Sequence, residues 1–223
     1  MDNKTIIEKV KEYVRYECND DLSAHDWWHI YRVYNTALKL NNYENGNEFV
    51  VSMIALLHDV YDWKFHPNVN ITEEIKKLLE KLKVKEFISD DDIENICYSV
   101  SNLSFKGGFS DIVLSKEGKI AQDADRLDAM GAIVVARTFA YGGKFSRPIY
   151  NPEQGIVEIT SEEEYKNLER HSINHFYEKL LKLKDLMNTK SGKVVAEKRH
   201  LFMEEYLRNF FEEWDSEDII IND

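Results

Sequence analysis

Apolar residues recur along most of this chain at helical spacing, not with the alternation of a strand. Ile30, Val33, Tyr34, Ala37 and Leu38 fall on one helical face, and so do Ile75, Leu78, Leu79 and Leu82, because positions three and four apart are neighbours on a helix. Helix starts are marked by a capping residue followed three positions later by an acid: Thr5 with Glu8, Ser23 with Asp26, Asn70 with Glu73, Ser89 with Asp92, and Thr160 with Glu163. In each pair a side-chain oxygen can accept from an unpaired N–H of the opening turn. The pattern predicts helices over 4–17, 25–41, 47–59, 71–83, 90–102, 119–141, 161–188 and 193–214. Two long connections interrupt them, 103–118 with Lys106-Gly107-Gly108 and 142–160 with Gly142-Gly143, Pro148 and Pro152. Loops of that length commonly carry function.

Composition narrows the class. Only 9 Gly and 3 Pro occur in 223 residues, too little punctuation for a sandwich or barrel, which turns roughly every 8–12 residues. An all-α fold is expected, and no repeat or linker divides the chain. With 41 acidic against 29 basic residues the formal charge is −12, which opposes binding to a nucleic-acid polymer. Cys18 and Cys97 are too few for a disulfide framework. The longest apolar stretch, Phe49 to Leu57, is about half a membrane span, and the first residues lack the apolar core of a signal peptide. A cytoplasmic protein without a membrane segment is expected. Charge is segregated: nine Lys/Arg against four Asp/Glu from Tyr165 to His200, then one Arg against eight acids from Phe202 to Asp223. Such a basic stretch is either a solvated helix face or the wall of a pocket for a phosphate.

The chemistry lies where histidines meet carboxylates on apolar faces. His29 sits at the margin of the stripe begun by Ile30, and His58 shares a face with Val51 and Ile54. Asp59 follows at the end of the apolar run FVVSMIALL. An ionised carboxylate there needs compensation, which a metal cation would supply. In AQDADRLDAMG, Asp125 and Asp128 share a face with Ala121, Ala129, Ala132 and Ala136, small residues that let another helix approach. Asp123 points about 200° away from Asp125 on a helix of 3.6 residues per turn, toward Arg126 or a helix N-terminus. His171 and His175 have the i,i+4 spacing of a zinc pair, but no Glu follows His171, so a zincin site is not expected. Trp27, Trp28, Tyr31 and Tyr34 crowd the helix of His29, most of them as core, with nucleobase stacking as the alternative.

His29-x-x-Arg32-Val33, His58-Asp59 and Ala124-Asp125-Arg126-Leu127 together resemble the H…HD…D signature of the HD-domain metal-dependent phosphohydrolase superfamily. The segments HDWWHI, ALLHD, SFKGG, QDADRLDAMGAI, ARTFAYGG and INHFYEKLLKLKDLMNT extend the likeness to small bacterial HD hydrolases of the YpgQ/YedJ type, from about residue 22 to 205. The resemblance implies one helical-bundle domain over 1–223, its signature core near 22–141, C-terminal helices of 161–214 packed on that core, and a metal between helices. It implies His29, His58, Asp59 and Asp125 as metal ligands, while spacing alone leaves Asp128 as a rival to Asp125. Such a donor set takes Mn or Mg, favoured for phosphoryl chemistry, with Fe, Co, Ni or Zn also compatible.

The expected activity is hydrolysis of small nucleotides, with a metal-activated water cleaving nucleoside triphosphates to monophosphate and pyrophosphate. Asp59 and Asp62 are the expected catalytic residues, Asp59 through the metal and Asp62 as proton acceptor. His25, Lys106, Arg126, Arg137, His175, Lys179 and Lys184 are expected to bind substrate, because phosphates need cations. The alternatives are a nucleoside monophosphate phosphomonoesterase, a di-iron oxygenase with His25 and His66 as spare ligands, and a regulatory module that keeps the metal without activity. The expected partner is a small phosphorylated substrate, with no nucleic-acid polymer and no membrane, and the chain a monomer or homodimer.

Overall fold

The FVVSMIALL run becomes a helix buried on every side, with all residues from Phe49 to Leu57 inside the protein, as a helix apolar all round must be. Its one polar residue in that run, Ser52, donates its hydroxyl to the Glu48 carbonyl at 2.7 Å and so carries no unpaired group into the core.

The computed structural model describes residues 1–18, 26–60, 69–103, 112–156 and 171–219. Among these residues the regular structure is helical: α1 (Asn3–Glu17), α2 (Trp27–Glu44), α3 (Glu48–Leu57), α4 (Ile71–Lys81), α5 (Asp90–Asn102), α6 (Lys116–Asp128), α7 (Ala132–Lys144), α8 (Asn174–Glu178) and α9 (Lys190–Trp214). Short 3₁₀ segments cover Lys85–Phe87 and Leu180–Leu186. No described helix is long and apolar enough to cross a membrane.

α3 is the axis, packed by α1, α2, α5 and α6. One apolar cluster joins α1, α4 and α5 to Trp27 and Ile30 of α2 and to Met53, Ile54 and Leu57 of α3. A second joins Val33, Ala37 and Leu40 of α2 and Val51 and Ala55 of α3 to α6, α7, α8 and α9. The α2–α3 pair is therefore shared by both halves of the core, and α6 lies across it. Three helix ends that carry the signature residues are held by this packing.

The helices differ from the spacing-based reading at their ends and in one break. Asp2, not Thr5, caps α1, and its carboxylate accepts from the Thr5 N–H at 2.8 Å. Asp26 itself caps α2 by accepting from the His29 N–H at 3.0 Å, while Ser23 and Thr160 lie outside the described residues. Asn70 and Ser89 cap α4 and α5 as expected. The single helix expected over 119–141 is two, because Gly131 takes a φ of +83°, a conformation that ends a helix and that side chains rarely adopt. A Cβ there would also meet the Arg199 side chain at 3.2 Å. α7 then runs through Gly142-Gly143 to Lys144, shortening the second long connection. Within the helix expected over 161–188, the described part is only the short α8 and a 3₁₀ segment.

Asp123 settles on the second of its two sequence-derived destinations, a helix N-terminus. It is fully buried and accepts from the Asn188 N–H, the Thr189 N–H and the Thr189 hydroxyl at 2.9, 2.7 and 2.7 Å. Those donors form the entry of α9, so a buried carboxylate on α6 clamps the C-terminal helix. Gly192 permits this closeness, since a Cβ there would lie 2.5 Å from Asp123 Oδ2. Asp123→Ala should cost about 3 kcal/mol in urea unfolding, because several buried donors lose a charged acceptor together; an unchanged midpoint would show that this clamp adds nothing to stability.

Candidate metal centre

Three helix ends converge here. His29 lies in the first turn of α2, His58 is the residue that ends α3 with Asp59 next, and Asp125 occupies the last turn of α6. The C-termini of α3 and α6 carry partial negative charge from their unpaired carbonyls. Two carboxylates add to it, so the potential at the meeting point favours a cation.

The donor atoms face one another closely. His29 Nε2 lies 3.1 Å from His58 Nε2, 3.5 Å from Asp125 Oδ1 and 3.7 Å from Asp59 Oδ2. His58 Nε2 lies 3.8 Å from Asp125 Oδ1, and one ligand atom from each of His29, His58 and Asp125 falls within 4.8 Å of the others. The His29, His58 and Asp59 side chains are at most 8% exposed, whereas Asp125 is 33% exposed. The centre therefore opens to solvent on the α6 side.

Hydrogen bonding tests whether these residues fit a metal. His58 Nδ1 lies 2.8 Å from the Ala55 carbonyl, an acceptor only, so this nitrogen carries the proton. His29 Nδ1 lies 2.7 Å from Asp128 Oδ2, again an acceptor only when ionised. With Nδ1 so engaged, each ring turns its Nε2 toward the other ring and toward the Asp125 carboxylate. Two imidazole nitrogens and two carboxylates gathered this closely are a donor set that a divalent cation attracts together. The residues fit a divalent ion.

Asp128, the spacing-based rival to Asp125, is turned away from that point. Its Oδ1 accepts from Arg32 Nε at 2.7 Å, and its Oδ2 accepts from Arg32 Nη2 and Arg137 Nη1, each at 3.0 Å. Burial alone would raise its carboxyl, but the hydrogen bonds from His29 and Arg32 and the charge of Arg137 outweigh it and hold the group well below the usual carboxylate range. Burial would likewise lower His58, yet Asp59 and Asp125 raise it more, leaving a net upward shift from 6.5.

Several of the expected phosphate-binding cations among the described residues are engaged within the protein. Arg126 donates to the Leu186 carbonyl and is partly buried, and burial lowers its pKa, so that donor holds backbone. Arg137 is turned onto Asp128. His175 lies 3.5 Å from the buried Glu178, and Lys184 lies 3.5 Å from Glu197. Lys179 is partly buried beside α8. His25, Asp62, His66 and Lys106 lie outside the described residues. His171 is a buried structural residue: its Nδ1 accepts from the Asn174 N–H at 3.0 Å and its Nε2 donates to the Gly155 carbonyl at 3.1 Å. Trp27 is core, Tyr34 packs against it, and Trp28 and Tyr31 are exposed. Sequence reasoning assigned no part to Arg32, although its i+3 spacing from His29 places both on one face.

Residues 27–130 match the HD domain, and the chain is 32% identical over 203 residues to YpgQ of Bacillus subtilis, with 90% of each chain covered. The chain belongs to the HD-domain family, and with the hydrolases of that superfamily it is a metal-dependent phosphohydrolase. It is similar to an HD-superfamily hydrolase of Bacillus thuringiensis, with 40% identity, TM-score 0.75, and 96% of this chain and 99% of that one covered. A protein of Lactobacillus plantarum matches at 33% identity and TM-score 0.83 over 97% of this chain and 100% of its own. YpgQ in complex with ADP matches at 30% identity and TM-score 0.75, covering 96% and 97%.

Two outcomes follow for metal uptake. Asp59→Ala should abolish stoichiometric binding of Mn²⁺ or Co²⁺ by elemental analysis while the far-ultraviolet circular dichroism stays helical; full uptake would remove Asp59 from the centre. Protons compete with the ion for His58 Nε2, and the neighbouring carboxylates strengthen the proton's hold. In the metal-free protein, protonated His58 stabilises the fold at low pH, and that contribution disappears as pH rises through its raised pKa. The metal-induced rise in Tm should therefore be larger at pH 8 than at pH 6, and an equal rise at both would contradict the assignment.

Proposed function

We propose that this HD hydrolase acts on small nucleotides and cleaves nucleoside triphosphates to monophosphate and pyrophosphate. The observation that carries the substrate class is the ADP held by YpgQ, whose fold matches over 96% of this chain. Two imidazoles and two carboxylates suit Mn or Mg with an open coordination position, and Asp125 stands on the exposed side of the centre. When bound, a divalent ion there supplies Lewis-acid polarisation of a phosphoryl oxygen and a water acidic enough to attack near neutral pH.

The chain's own residues supply the rest. His29, His58, Asp59 and Asp125 would hold the ion, with the two imidazoles fixed by Asp128 and Ala55. Asp62, three residues after Asp59 in sequence, is the proposed proton acceptor. His25 and Lys106 are the proposed partners of the phosphate oxygens, because Arg126 is turned onto a backbone carbonyl and Arg137 onto Asp128. Trp28 and Tyr31, exposed and edge-to-face at 5.9 Å, precede and follow His29 within one turn of α2 and present an aromatic surface on which a base can stack.

The test is turnover of a panel of nucleoside tri-, di- and monophosphates with Mn²⁺ or Mg²⁺, with products read by phosphorus NMR. Monophosphate and pyrophosphate from triphosphates, lost on chelation, is the expected result. Asp62→Asn should lower kcat by about 10²–10⁴, the range for a positioned general base. Inorganic phosphate from monophosphates alone, or turnover that persists with the metal chelated, would overturn the reading.

A further inference from the structure

We propose that Asp128 is a positioning residue: it fixes the His29 ring so that Nε2 faces the metal, with Arg32 and Arg137 holding the carboxylate to that task. The inference rests on the metal-binding reading of His29 and is independent of which phosphate compound is the substrate.

An imidazole can meet a cation through either nitrogen, and the hydrogen bond made by the other nitrogen decides which. For His58 that decision falls to a neutral backbone carbonyl, Ala55. For His29 it falls to an ionised side chain 99 residues away in sequence. A carboxylate partner makes the imidazole a stronger donor to the metal than a carbonyl does, so the two histidines are unequal ligands by construction.

Asp128 is held where it is by two other helices. It is the last residue of α6 and 5% exposed, a costly position for an acid because the helix end is itself negative. Arg32 grips both of its oxygens from α2, and Arg137 reaches the second from α7. Arg137 arrives there because the chain reverses at Gly131 between α6 and α7. The His29 bond at 2.7 Å and the three guanidinium bonds lie on two oxygens, which leaves the carboxylate fully engaged and turned from the Nε2 side of the ring. Two guanidiniums also offset the charge that a third carboxylate adds beside Asp59 and Asp125, and this keeps Asp128 from competing with them for the ion.

The test uses the full chain labelled with ¹⁵N-histidine and loaded with zinc, together with Co²⁺ titrations followed in the visible range. The wild-type spectrum should show His29 with a slowly exchanging proton on Nδ1 and its Nε2 shifted by the metal. Asp128→Asn should lose that protected proton and weaken Co²⁺ binding by about 10- to 100-fold, the range seen when the partner of a metal-bound histidine is removed. Asp128→Glu, which keeps the carboxylate, should recover part of the affinity. A His29 ring metallated through Nδ1, or an Asp128→Asn protein that binds Co²⁺ with wild-type Kd, would overturn the proposal. Should Asp128→Asn fail to fold, the wild-type spectrum decides alone: a protonated Nδ1 supports the role and a bare one removes it. A wild-type chain that takes up neither zinc nor cobalt would sink the metal reading as well, whereas normal uptake with no effect at Asp128 sinks only this inference.

Discussion

Two imidazole nitrogens 3.1 Å apart, each turned to face the other by a bond made on the far side of its ring, set the condition that the rest of the structure serves. With Asp59 and Asp125 beside them they form a donor set that attracts a cation. The set exists only while α2, α3 and α6 keep their ends together. Much of the packing is directed to that end.

α3 supplies the rigidity. A helix buried on all sides has no free face on which to slide, and both apolar clusters share it with α2. Its C-terminus also serves directly, because the Ala55 carbonyl that would otherwise be unpaired at a helix end orients His58. The opposite wall is fastened less directly. α6 is tied to α9 through buried Asp123, and α7 folds back at Gly131 over the Arg199 side chain. A carboxylate two residues from Asp125 thus fastens the helix that carries Asp125 into the core.

Charge is divided between these tasks and solvent. Several basic groups of the C-terminal third are engaged locally: Lys184 pairs with Glu197, His175 with Glu178, and Arg199 bonds the Leu127 carbonyl. Arg32 and Arg137 are turned toward Asp128, the carboxylate that His29 Nδ1 meets. The strongest electrostatic feature of the region is therefore a buried carboxylate held between two arginines, and its effect falls on a histidine.

Much of this was legible in the order of residues. Few glycines and prolines, apolar stripes at helical spacing, and an acid closing an apolar run pointed to helices and to a cation near His58-Asp59. These are local properties, written within a turn or two of chain. The separation of α6 from α7 was less visible, because a glycine inside a helical pattern declares its φ only when packing forces it positive. Asp125 and Asp128 were indistinguishable by spacing, since both lie on one helical face among the same small residues. Their difference comes from Arg32, distant in sequence and brought to Asp128 by the packing of α2 on α6, and from Arg137, returned to it by the turn at Gly131 between α6 and α7. Which residues could carry the chemistry is a matter of side-chain type and period. Which way each of them turns depends on partners from other helices, and only the closed fold supplies those.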